Sequence, residues 1–289
     1  MVLWPRELRT TARSWRTSNS VSEDVGLPPA MEGSGSIGFD RAVEYYDRTR
    51  GLSASTMAEV VRVLKSELVG RGRCLEIGVG TGRMALPLHQ DGIDMAGVDL
   101  SEKMLGSLVG RAGGRAPFPL ARADAVALPF ADRTFGAAMV CHVLHLIPPW
   151  PSALRELVRV VRRGGVILID AGAPREDWWK ELQERFCREA GIERREPGLN
   201  DVAELERVMS ELGLSWRTLP VISHHSTRTM EERISWLEEG LFSFTWPLDE
   251  ATRRRAAAGV RGWAAERFGP LEEPRTFETR IVWRAFDLS

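Results

Sequence analysis

The sequence predicts a doubly wound α/β fold built on a mostly parallel sheet, and three observations carry that prediction. The apolar stretch Cys74-Leu75-Glu76-Ile77 runs directly into Gly78-Val79-Gly80-Thr81-Gly82, a turn with glycine at alternate positions. From there to Ile169, short apolar runs alternate with segments of helical periodicity, and strand–helix alternation implies right-handed crossovers between parallel strands. The run Val166-Ile167-Leu168-Ile169 is apolar at every position, as a strand covered on both faces must be.

Composition narrows the function classes. The 289 residues fill one large domain or two smaller ones, and 43% apolar content suffices for a core. With 39 basic against 40 acidic residues there is no summed positive field to attract nucleic acid, and no nucleic-acid partner is expected. Cys74, Cys141 and Cys187 are far apart, with neither C-x-x-C nor His-rich metal spacing. They read as reduced thiols in a cytoplasmic protein that binds no metal. No apolar run reaches the roughly 18 residues of a membrane span, so no membrane partner is expected.

Residues 1–36 read as a disordered tail. Arg6, Arg9, Arg13 and Arg16 stand among Ser and Thr without the apolar region of a secretory signal, and Met31 is a second candidate start ahead of Gly33-Ser34-Gly35-Ser36. The folded domain is expected over 37–289.

Within it, Phe39 to Asp47 reads as a short helix followed by Arg48-Thr49-Arg50. Thr56-x-x-Glu59 has capping-box spacing, and Met57, Val60, Val61, Leu64 and Leu68 fall on one helical face. The strand expected over 73–77 must stop where glycine lets the backbone turn without a Cβ in a ligand's way, and the first N–H groups of a helix starting near Gly82 face that loop. A dinucleotide fingerprint needs a third glycine where this chain has Arg83.

The next strand, over 95–98, ends in Asp99, about 20 residues beyond Glu76, where doubly wound folds place a carboxylate for the ribose hydroxyls. Ser101 is placed to cap a helix carrying Met104, Leu105, Leu108 and Val109. A third strand over 119–123 delivers Asp124 and Ala125, and a fourth is expected over 137–145. Ile147-Pro148-Pro149-Trp150 reads as a proline turn ahead of a helix over 152–161, which Arg162-Arg163-Gly164-Gly165 is expected to end.

The G-x-G-x-G loop with Glu76 two residues ahead resembles motif I of the class I S-adenosyl-L-methionine (SAM) dependent methyltransferases. Tyr45-Tyr46-Asp47-Arg48-Thr49-Arg50 resembles the Y-D-x-x-R segment of the quinone-biosynthesis type, and Leu128-Pro129-Phe130-x-Asp132-x-x-Phe135 and Glu156-x-x-Arg159-Val160-Val161-Arg162-Arg163-Gly164-Gly165 resemble two further family stretches. The chain departs from the pattern at Gly136, where the family has Asp, and Ile147-Pro148-Pro149-Trp150 lacks the acceptor residue of amino-methylating enzymes.

The resemblance implies a Rossmann-like, seven-stranded, mostly parallel sheet with a helical C-terminal insertion. It also implies SAM as cofactor, held by Tyr46, Arg50, Glu76, Gly78, Gly80, Gly82, Asp99, Leu100, Asp124, Ala125 and Cys141, with 37–172 as the SAM-binding core. His142 and His145, at the end of strand four, face the methyl-transfer region in that fold and are the catalytic candidates. His224 and His225, on an expected sixth strand, are weaker ones.

The region 173–289 is expected to supply a helical substrate or lid region and the closing strands. Helices are predicted over 177–190, 201–211 and within 229–268, and strands over 215–222 and along Phe277, Thr279, Ile281, Trp283 and Ala285. Seven tryptophans, Trp178, Trp179, Trp216, Trp236, Trp246, Trp263 and Trp283, fall in this part; they read as core, with some able to line an apolar acceptor pocket. The implied function is methyl transfer from SAM to a small molecule. A methyltransferase of RNA or protein and a non-catalytic nucleotide-binding module are the alternatives, and the acceptor, the atom methylated and the oligomeric state stay open.

Overall fold

The computed structural model describes Asp40, Val43, Tyr45 and residues 51–170 and 177–289. Helix α1 spans Ala54–Leu68. The strand–helix series then runs β1 Cys74–Ile77, α2 Ala85–Gln90, β2 Met95–Asp99, α3 Glu102–Arg111, β3 Leu120–Arg122, β4 Phe135–Cys141, α4 Trp150–Val160 and β5 Val161–Asp170. The C-terminal part supplies α5 Asp177–Ala190, α6 Val202–Glu211, β6 Ser215–Thr218, β7 Ile222–Arg228, α7 Met230–Glu238, α8 Glu250–Phe268, β8 Arg275–Ile281 and β9 Trp283–Asp287.

Seven strands form one sheet in the order β3-β2-β1-β4-β5-β9-β6. The order reverses between β1 and its neighbours β2 and β4, both parallel to it, with Cys74 opposite Met95 on one side and Ala137 on the other. Ligands of open α/β sheets bind at the carboxyl ends of the strands flanking such a reversal. Only β9 runs antiparallel, against both β5 and β6.

The sheet is covered on both faces. Leu75, Ile77, Ala138, Val140, Ile167 and Ile169 point into one core, and Cys74, Met139, Cys141, Val166 and Leu168 into the other. That is why these strands are apolar throughout instead of alternating with polar residues. A third cluster joins α5, α7, α8 and Phe277 through Leu182, Phe186, Trp236, Phe242 and Phe244, with Trp178, Trp179 and Trp263 packed on it. Most of the C-terminal tryptophans therefore consolidate helix packing, whereas Trp216 stands 40% exposed on the edge strand β6.

Several boundaries move for local reasons. Helix α1 begins ahead of Thr56, because the Ser53 side chain accepts the Thr56 N–H and caps the helix three residues earlier. Helix α4 starts at Trp150 with Pro in its first turn, where a missing N–H costs no helical bond. The stretch 162–165 continues as strand: β5 starts at Val161 opposite Phe135 and shifts register before Ala137 meets Val166. Strand β6 ends at Thr218, two residues ahead of Pro220, which has no N–H for a ladder.

His224 and His225 lie on β7, which pairs with β8 in a separate two-stranded ribbon instead of forming the sixth strand of the sheet. The alternation from Phe277 to Ala285 covers two strands, β8 in the ribbon and β9 in the main sheet, separated at Val282. Thr229 and Glu232 form a reciprocal capping box that starts α7. The tail expected over 1–36 lies outside the described residues, and no described helix is long and apolar enough to cross a membrane.

Gly136, the one departure from the family's pattern in its stretch, has a packing cause. A Cβ there would sit 1.4 Å from the backbone oxygen of Arg71, while the Gly136 N–H donates to the Arg73 carbonyl. The chain before β1 therefore passes too close for any side chain. Gly136→Ala should destabilise the fold at or beyond the upper end of the roughly 1–3 kcal/mol typical of overpacking. Chemical denaturation of parent and variant checks this; equal midpoints would contradict the close approach.

Candidate functional site

A cleft opens at the carboxyl ends of β1, β2 and β4. It encloses about 670 Å³ of space, its open mouth included, and is lined by Gly78, Gly80, Asp99, Leu100, Asp124 and Ala125, by Cys141 and His142, and by apolar Val98, Met104, Ala123, Val143, Leu146 and Ile147.

The floor is the loop between β1 and α2. Gly78, Gly80 and Gly82 all take positive φ, at 63°, 54° and 79°. Their roles differ. A Cβ on Gly78 would come within 2.6 Å of the Val143 side chain, so this glycine lets the loop lie directly on the turn that follows β4. A Cβ on Gly80 would meet nothing nearer than 3.9 Å, leaving its face open to a ligand. Gly82 does not line the cleft; a Cβ there would strike Leu86 and Leu108, so it allows close packing of the following helix.

Asp99, at the end of β2, fastens this loop. Its Oδ2 accepts the Gly80 N–H at 2.8 Å and its Oδ1 the Ser101 N–H at 2.8 Å. Burial raises the Asp99 carboxyl above the ordinary carboxylate range, against the lowering effect of these backbone donors. The Ser101 hydroxyl accepts the Met104 N–H as the N-cap of α3 and donates to Asp40 Oδ1. Asp40 thus reaches the rim of the cleft beside Asp99. Tyr46 and Arg50, expected at the cofactor, lie outside the described residues.

Glu76 lies behind the loop, 2% exposed and not on the cleft wall. The Ala85 backbone N–H donates to its carboxylate and the Arg83 guanidinium faces it, but burial outweighs both and pushes its pKa up to about 8. Its Oε2 has no hydrogen-bond partner among the described residues. An unsatisfied buried carboxylate oxygen at the start of a glycine loop suits the ammonium group of an amino acid. Arg83, at the place of the third dinucleotide glycine, donates from Nη2 to Cys141 Sγ at 3.1 Å.

Asp124 is 7% exposed, and its Oδ1 accepts the Val126 N–H at 3.2 Å in a short turn that also presents Ala125 to the cleft. Strand β4 stops at Cys141, and His142 takes a left-handed conformation at φ 53°. The His142 N–H donates to the Asp170 carbonyl at 3.3 Å, and its Nε2 stands 3.2 Å from Asp170 Oδ2. His145 is not on the cleft wall; it lies in the short helical turn Leu144–Leu146, where its carbonyl accepts the Gly198 N–H.

Asp170 was missed in the sequence because it carries no motif. Its only signal is its place, the last residue of an apolar strand parallel to β4, where side chains at the carboxyl ends converge. Cys141, His142 and Asp170 bring three potential donor atoms within 4.8 Å of one another, a grouping that residue spacing does not reveal.

Residues 75–169 match the family described as a methyltransferase domain. Over this stretch the chain is similar to the class I SAM-dependent methyltransferases, those of the quinone-biosynthesis type among them.

It is 30% identical over 134 residues to a demethylmenaquinone methyltransferase of Beutenbergia cavernae, covering 45% of this chain and 55% of that protein. It is 35% identical over 101 residues to a phosphatidylethanolamine N-methyltransferase of Cereibacter sphaeroides, covering 34% and 49%. The match thus spans about half the length of these relatives. Among solved structures, the YcgJ protein of Bacillus subtilis shares the fold with a TM-score of 0.57 at 17% identity, covering 81% of this chain and 99% of that one. A SAM-dependent methyltransferase from Thermotoga maritima superposes with a TM-score of 0.51 at 20% identity, covering 86% and 98%.

The raised Glu76 carboxyl makes a stability prediction for the protein without ligand. A carboxyl whose folded pKa of about 8 exceeds its ordinary 4.5 contributes stability that is complete below 4.5 and lost as pH rises through about 8. Thermal unfolding should therefore move to lower temperature between pH 5 and pH 9, and Glu76→Gln should remove that part of the slope. A variant with the parent's slope would place the buried acid elsewhere.

Proposed function

We propose that this protein transfers the methyl group of SAM to a small-molecule acceptor. The observation that carries the reading is the pairing of a buried, unsatisfied Glu76 Oε2 with the open face of Gly80 in a loop braced by Asp99. The residues fit the cofactor part by part. Glu76 and the Gly78–Gly82 loop take its amino-acid end, Asp99 its ribose hydroxyls, and Asp124 with the Ala125 and Leu100 backbone its adenine, against the apolar wall of Met104, Leu146 and Ile147. Cys141 and His142 border the end at which the methyl is passed on.

The cofactor supplies a methyl already activated on a sulfonium sulfur. What remains for the protein is to align an acceptor with it and exclude water. The relatives named for demethylmenaquinone and phosphatidylethanolamine support a small acceptor. A net charge of −1 disfavours a nucleic-acid substrate. Arg83, packed onto Cys141 where a dinucleotide loop needs glycine, disfavours nicotinamide binding. Three buried free cysteines suit the reducing cytoplasm.

Calorimetry tests the reading. S-adenosylhomocysteine should bind and NAD should not; NAD binding without S-adenosylhomocysteine binding would overturn it. An ammonium seated on Glu76 needs the ionised carboxylate, so binding near neutral pH should release protons, and affinity should rise with pH toward about 8. Titrations in buffers of different ionisation enthalpy read this directly, and binding with no proton release would remove Glu76 from the amino-acid site.

Asp99→Ala should weaken S-adenosylhomocysteine by about 1.5–3 kcal/mol, the scale of a hydrogen bond to a charged group. Unchanged affinity would place the ribose elsewhere.

A further inference from the structure

We propose that Cys141, His142 and Asp170 form a binding site for one zinc-type divalent cation, with a fourth coordination position open to the cleft. The proposal goes beyond the methyl-transfer reading and stands apart from it, because it rests on side-chain geometry alone.

The sheet puts two of the donors together. Cys141 and Asp170 are the last residues of β4 and β5 and lie opposite one another in the parallel register, so their side chains leave the same face of the sheet. Both are buried, Cys141 at 5% and Asp170 at 4% exposure. The next residue along an extended strand points to the opposite face. His142 instead takes φ 53°, and in that left-handed turn its imidazole lies against the carboxylate, with Nε2 3.2 Å from Asp170 Oδ2. Adjacent residues thereby contribute to one site, which is why cysteine and histidine spacing gives no sign of it.

The separations suit a tetrahedral ion. Zinc holds sulfur at about 2.3 Å, nitrogen at about 2.0–2.1 Å and carboxylate oxygen at about 2.0–2.2 Å. Around a tetrahedral centre those lengths place nitrogen and oxygen about 3.4 Å apart, and sulfur and oxygen about 3.6 Å apart. The corresponding separations here are 3.2 Å and 3.8 Å, and all three donor atoms lie within 4.8 Å of one another. Small side-chain adjustments therefore admit the ion.

The donor set selects the metal. A thiolate, an imidazole and a carboxylate suit zinc, whereas calcium and magnesium take six or more oxygen ligands. An ionised thiol and carboxylate carry two negative charges, which a divalent cation cancels. On binding, the thiol proton goes to solvent and the imidazole hydrogen occupies Nδ1, leaving the Nε2 lone pair for the metal. Arg83 Nη2 stands 3.1 Å from Cys141 Sγ, where its N–H supports a metal-bound thiolate.

The fourth position faces the cleft. The His142 ring is one-third exposed, and Cys141 and His142 line the cleft wall with Asp170 behind them. No fourth His, Cys, Asp or Glu joins the group among the described residues. Three protein donors and an open place are the arrangement of a zinc site that takes an exchangeable ligand, here water or a lone-pair atom of a molecule in the cleft.

Cobalt(II), whose spectrum reports its ligands, is the probe, added to the untagged full chain after chelator treatment. One equivalent should bind, with the thiolate-to-cobalt absorption in the near ultraviolet and the intense visible bands of a four-coordinate ion, and zinc should displace it. Azide should shift the visible bands by taking the open position. Cobalt bound without thiolate absorption, or no stoichiometric binding, overturns the site; visible bands indifferent to azide overturn the open position.

Cys141→Ser, His142→Gln and Asp170→Ala should each weaken zinc by at least about 100-fold, the upper end of what losing a hydrogen-bond partner of a ligand costs. Cys187→Ser, in the helical cluster, should bind zinc as the parent does. Parent-like affinity in any of the three ligand variants, or loss of binding in Cys187→Ser, overturns the assignment, and the parent's cobalt spectrum decides where a variant fails to fold. Failure of S-adenosylhomocysteine to bind the same parent protein overturns the methyltransferase reading alone.

Discussion

The cleft depends on the two backbone hydrogen bonds accepted by Asp99. One comes from Gly80 in the loop after β1, the other from Ser101 at the start of α3, so a single carboxylate ties the end of one strand to the loop of its neighbour and to the next helix. A glycine loop has no side chains with which to hold itself, and its conformational freedom must be removed from outside. Asp99 does this at the end of β2. The same brace extends through the Ser101 hydroxyl to Asp40.

Two further acids are buried nearby, and each is explained by what it faces. Among the described residues one Glu76 oxygen has no hydrogen-bond partner, a state that burial disfavours and that a cationic ligand group would relieve. Asp170 ends β5, with the His142 ring nitrogen 3.2 Å from its carboxylate and the Cys141 thiol donating to it. Arg83 lies between them, facing Glu76 and donating to Cys141, whose thiol in turn donates to Asp170. Glu76, Arg83, Cys141 and Asp170 thus form a chain of polar groups behind the cleft, where interactions between charges are stronger than in water.

Legibility fell off along the chain for physical reasons. From Leu75 to Ile169 each strand leads into its helix through a short connection, so residues near in sequence are near in space and strand ends can be counted from the glycine loop. The C-terminal part joins elements far apart in sequence. Period-two alternation from Phe277 to Ala285 reports an extended chain but not its partner, and the chain changes sheets at Val282 without any break in that pattern. The tryptophans were legible as core only by type; their packing onto Phe186, Phe242 and Phe277 depends on how α5, α7 and α8 meet.

The sequence by itself determined the alternation of strands and helices, the glycine spacing that favours SAM over a dinucleotide, and the acids at Glu76, Asp99 and Asp124, because these are consequences of local backbone freedom and strand length. Only the tertiary structure decided that His142 and not His145 borders the cleft, that Asp170 stands behind it, and that Gly136 is glycine because the Arg71 carbonyl passes beside it. Those outcomes come from contacts between segments roughly 30 to 65 residues apart. Their geometry is set by the twist and register of the sheet, which no stretch of sequence carries alone.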